Sequence, residues 1–169
     1  MEKNTNLQLH GKYKIQCHDI DGMLKWEEEI DNIVPNEGLN AFLKVFFSKL
    51  SVIPSFYIGL FSGNYTPVAT DTAATFPSNA TEFGSYTEGV RQGFVIPSTI
   101  SGTSLDNSAS PAVFTASAGG TIYGAFLTTS SAINATTGLL ISGVKFSSSK
   151  TMSTGDKLSV SYGLTALSS

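Results

Sequence analysis

The feature that most constrains this chain is period-two alternation in short runs, set against one run of helical period. Tyr13, Ile15 and Cys17 alternate with Lys12, Lys14 and Gln16, the period of a half-buried strand. Near the other end, Leu158, Val160, Tyr162 and Leu164 alternate with Lys157, Ser159, Ser161 and Gly163. Asp19-Ile20-Asp21-Gly22 supplies turn chemistry after the first run. The return strand then carries Leu24, Trp26, Glu28 and Ile30 on one face and Lys25, Glu27, Glu29 and Asp31 on the other. The outward rows of this hairpin are basic and acidic, so they pair across strands, at about 0.2–1 kcal/mol per exposed pair.

The helical run follows. Leu39, Phe42, Leu43, Phe46 and Leu50 fall at i, i+3, i+4, i+7 and i+11, which predicts one helix over 36–50 packing that stripe on a sheet. Asn36 is the expected N-cap, and Glu37 suits the positive helix end. Further strands are expected at 55–61, 93–96, 112–117, 121–127 and 138–146, with Gly119-Gly120 as a hairpin turn between the third and fourth of these. Residues 63–90 and 101–111 are polar, turn-forming connections. Seven or eight short strands with Gly- and Ser-rich turns predict an all-β fold, an antiparallel β-sandwich of immunoglobulin-like or jelly-roll-like kind. The single short helix plugs one end or covers an open edge.

Composition supports one domain over 1–169 with two regions. A charged hairpin–helix region (8–50) precedes a Ser/Thr-rich β region (51–169). Residues 1–50 hold 14 of the 23 charged residues, and residues 51–169 hold 39 of the 41 Ser and Thr. Fifty residues are thin for an independent core without staples, so both regions are expected to share one. Net charge is -3, which leaves no general phosphate-neutralising surface and argues against a nucleic-acid partner. The apolar runs fall far short of the ~20 residues that cross a bilayer, so no membrane partner is expected. One cysteine, Cys17, permits no intrachain disulfide. Met1 to Asn6 lead into no apolar stretch of secretory type.

Few residues offer chemistry. Cys17, His18, Asp19 and Asp21 are close in sequence, but zinc sites need a second ligand pair, and His10 is the only other histidine. Cys17 lies in the apolar row of its strand and reads as a buried structural thiol. Asp19-Ile20-Asp21-Gly22 resembles the opening of a calcium loop, but position twelve is Ile30 rather than Glu, so a hairpin turn is expected. Of Glu27, Glu28 and Glu29, only the outer two share a face, and Glu28 points inward and needs a partner. No nucleophile elbow, phosphate loop or dinucleotide fingerprint is present, so no catalytic, cofactor or metal residues are assigned. Three Asn-x-Thr sequences, beginning at Asn64, Asn79 and Asn134, match the glycosylation acceptor and are discounted in a chain this rich in Asn, Ser and Thr. Arg91 is the one arginine, and it follows Glu82, Phe83 and Tyr86. A lone arginine amid aromatics and a carboxylate reads as a buried clamp holding this connection on the sheet. The alternative is an interface anchor, since Arg and Tyr are enriched there. Tyr57, Tyr65 and Tyr86 are candidate ring surfaces for sugar stacking.

The order of motifs is itself informative. Gly11-Lys12-Tyr13 leads into Asp21-Gly22-Met23-Leu24-Lys25-Trp26, then Asn32-Ile33-Val34, Asn36, Gly38-Leu39-Asn40 and Phe56-Tyr57-Ile58-Gly59-Leu60. Ala69-Thr70-Asp71-Thr72, Thr81-Glu82-Phe83, Tyr86 and Arg91 follow. The series ends with Thr121-Ile122-Tyr123-Gly124-Ala125-Phe126-Leu127 and Ser153-Thr154-Gly155-Asp156-Lys157-Leu158. This series resembles a group of small virion proteins of tailed bacteriophages. The resemblance implies a non-enzymatic structural role in the virion, assembled in the host cytoplasm. The expected role is a capsid decoration or auxiliary capsid protein, with the major capsid protein or other virion proteins as partners, and a homo-oligomer as a further possibility. The alternative it leaves open is a tail or fibre component that recognises host-surface glycan.

Overall fold

The computed structural model of the chain describes residues 7–47, 51–100 and 102–168. Within them, ten strands form two antiparallel five-stranded sheets in a sandwich-like, all-β arrangement. The first sheet has β1 (Leu7–His18), β2 (Leu24–Asp31) and β10 (Lys157–Ser168) side by side, with β1 in the middle. On its far edge β10 pairs with β7 (Ala112–Thr115) through its first half and with β6 (Ser104–Asp106) through its second. The second sheet places β8 (Gly120–Thr128) between β3 (Phe56–Phe61) and β9 (Leu140–Met152). Along its other edge β3 pairs with the short β4 (Glu82–Phe83) and β5 (Gln92–Phe94).

The first sheet follows the alternation. Tyr13, Ile15 and Cys17 lie opposite Tyr162, Val160 and Leu158, and all six are buried on the inner face. Outward, Lys14 reaches Glu29 and Lys12 reaches Asp31, while Gln16 donates to Glu27. The β1–β2 turn is held by Asp19, whose Oδ1 accepts the backbone N–H groups of Asp21 and Met23. Gly22 takes the left-handed conformation there, with φ +84.

The second sheet is buried on both faces. Ile58, Leu60, Ile122, Leu127, Val144 and Phe146 point into the core between the sheets. On the outer face, Phe61, Phe126 and Leu140 meet Ala73, Phe76 and Ala80 in a second apolar cluster. The long connection at 63–90 is therefore not an open loop. It folds over the sheet and forms a short helix, α2 (Phe76–Ala80), before β4. Both elements escape the sequence reading, as does β6 in the stretch expected to be turns. Gly119-Gly120 is not a hairpin: β7 joins the first sheet, β8 the second, and the glycines lie where the chain crosses between them.

The main helix, α1 (Asn36–Phe47), lies where expected, but three details differ. Its first hydrogen bond runs from the Leu39 N–H to the Pro35 carbonyl, so Asn36 is inside the helix rather than capping it. Its close-packed side is Gly38 and Ala41, while Leu39, Leu43 and Phe46 are exposed and Phe42 is half-buried. Small residues win that face because Gly38 sits against the Ile141 backbone, where a β-carbon would lie 2.6 Å from the carbonyl oxygen. The expected residue Leu50 lies outside the described residues. The helix leans on β9 and roofs one end of the sandwich.

Candidate functional site

Arg91 stands at the end of the long connection, just before β5. Its Nε and Nη2 donate to the two carboxylate oxygens of Glu82, both at 2.8 Å. Nη1 donates to the Ser130 carbonyl at 3.0 Å, and Nη2 also reaches the Ala135 carbonyl at 3.3 Å. The guanidinium lies over the Phe126 ring, 5.1 Å from its centroid. Glu82 accepts a further bond from the Asn134 backbone N–H at 2.6 Å. Both side chains of the pair are fully buried. A planar fork satisfied on nearly every donor fixes geometry well. Here it ties the 129–138 loop and the long connection to the outer face of the second sheet.

Tyr86 is not part of that fork. It lies in the core between the sheets, edge-on to Phe114 at 5.0 Å, and its hydroxyl has no hydrogen-bond partner among the described residues. Burial, with the Glu82 charge nearby, pushes its pKa well up. Tyr65 is half-buried, packs edge-on against Phe76, and donates its hydroxyl to Asp71 at 2.7 Å. Tyr57 is half-buried in β3 opposite Thr128 and Gly93. These tyrosines do not form a shared ring platform: Tyr86 is in the core, and Tyr65 is held by Asp71.

Other polar groups are also spent on structure. Glu37 Oε2 accepts the Ala73 and Leu140 backbone N–H groups at 2.8 and 2.6 Å, joining α1 to both neighbours. Glu28, inward on β2, pairs with Lys150 at 3.0 Å and accepts the Ser147 N–H at 2.7 Å, which joins the two sheets. Asp156 is buried and pairs with Lys25. Cys17 is buried, and burial, with the Asp156 charge adding to it, lifts its thiol to about 11. Among the described residues, no group of three or more His, Cys, Asp or Glu side chains is placed to hold a metal ion. No helix there is long and apolar enough to cross a membrane.

The surface feature that sequence reasoning missed is an apolar end. Under α1 the two sheets part and leave a hollow of about 330 Å³. Ala41, Phe42 and Val45 of α1 roof it, Phe56 and Phe94 come from the second sheet, and Leu164 comes from the first. At its mouth Phe46 is 69% exposed, with Val52 and Ile96 also in solvent, while Leu43 and Phe47 are exposed farther round α1. The available signal was Phe46-Phe47 itself. Adjacent residues on a helix diverge by about 100°, so one stripe cannot bury both.

Compared with family models, curated proteins and solved structures, the chain matches none.

Proposed function

We propose that this chain is a non-enzymatic structural protein of a tailed-phage virion, a capsid decoration or auxiliary capsid protein that binds the assembled shell. The observation that carries the reading is the apolar end. Monomeric proteins rarely expose contiguous apolar patches beyond a few hundred Å², and larger ones mark interaction sites. The strongest polar constellations, Arg91–Glu82 and Glu28–Lys150, serve to pin segments together. The motif order resembling small virion proteins supports the same reading. Partners are then the major capsid protein or other virion proteins, reached through apolar contact rather than charge.

The test is co-sedimentation of labelled protein with empty, expanded shells of the phage that encodes it, across a salt series. Binding to shells well above binding to free shell subunits is expected, because a clamp across neighbouring subunits finds its full site only on the lattice. It should weaken only modestly with salt, since the protein carries a net charge of only -3. A protein that ignores shells but binds purified tails or whole host cells overturns the reading and favours the tail alternative.

A further inference from the structure

We draw no further inference here: the strongest candidate, the apolar hollow of about 330 Å³ beneath α1 at one end of the sandwich, carries none because nothing in the structure shows what covers it.

Discussion

Phe126 and Gly59 face each other across the β3–β8 ladder, and the phenyl ring folds over the glycine, filling the space a side chain there would need. The next pair outward repeats the device in reverse, with Phe61 lying over Gly124. Glycine opposite an aromatic lets the ring lie flat on the sheet, offsetting the weak strand propensity of glycine. These flattened rings are the floor on which Phe76 and Arg91 rest, through contacts of 5.1 Å between the Phe76 and Phe126 centroids and 5.1 Å from the guanidinium.

Gly59→Ala should therefore destabilise the fold by about 1–3 kcal/mol, the usual result of overpacking a filled site. Gly93→Ala is the control, since a β-carbon there meets nothing within 4 Å among the described residues. Urea denaturation of both variants measures the difference, and equal midpoints would sink the argument.

Breaking the Arg91–Glu82 pair from one side leaves a buried charge unmatched. Glu82→Gln should cost on the order of 3–5 kcal/mol. The single amide oxygen of Gln cannot serve Arg91 Nε, Arg91 Nη2 and the Asn134 N–H as the two carboxylate oxygens do, so amide exchange at Asn134 should accelerate before global unfolding does. A double replacement by apolar residues should be milder than either single one.

On α1 the small residues should outweigh the large ones. Gly38→Ala pushes a β-carbon against the Ile141 backbone and should destabilise by about 1–3 kcal/mol. Phe47→Ala, at 84% exposure, should change monomer stability by less than about 0.5 kcal/mol. Chemical denaturation at low protein concentration tests the pair, and the reverse order would place the buried face of α1 on its aromatic side.

Glu28 gives the acid dependence. Burial alone raises its pKa, but the Ser147 N–H and the Lys150 ammonium outweigh that and hold it below the usual carboxylate range. A depressed folded-state value means that its contribution is present above the unfolded pKa of about 4.3 and is lost as pH falls through the folded value. Stability measured downward from about pH 5 should thus fall less steeply in Glu28→Gln than in wild type.

Cys17 gives the alkaline side. With its thiol near 11, the thiolate is scarce at neutral pH, and the sulfur is buried. The raised value contributes stability below the unfolded pKa of about 8.5, which is lost as pH rises through the folded one. Labelling by a water-soluble thiol reagent should be slow and should follow the unfolding rate. Rapid, denaturant-independent labelling would place the thiol at the surface.

Most strands of both sheets were legible in the sequence, β4 and β6 excepted, but only the first sheet also showed which of its side chains face inward. Tyr13, Ile15 and Cys17 alternate with polar neighbours because one face of their sheet meets water, and such a face writes itself as a period of two. β8 is buried on both faces, so Ala125, Phe126 and Leu127 read as a continuous apolar run that any core element would share. Nor does turn chemistry say which sheet the next strand joins, which is why Gly119-Gly120 misled. The Arg91–Glu82 fork was foreseeable from a lone arginine near one carboxylate, whereas its Ser130 and Ala135 acceptors are backbone groups that carry no sequence mark. The apolar end was hidden because α1 packs through Gly38 and Ala41, residues too small to register in a hydrophobic stripe.

The inward carboxylate of Glu28 also governs what the rim of the molecule refuses. β2 ends its sheet, and an edge strand is a template on which another chain can lay a strand. A stray strand that prised β2 away from β9 would strip Glu28 of Lys150 and the Ser147 N–H and leave a bare charge facing an apolar interior. That penalty, with Lys25, Glu27, Glu29 and Asp31 fringing the outside, keeps crowded copies from zipping rim to rim into fibres. Growth by strand addition is thereby disfavoured at β2.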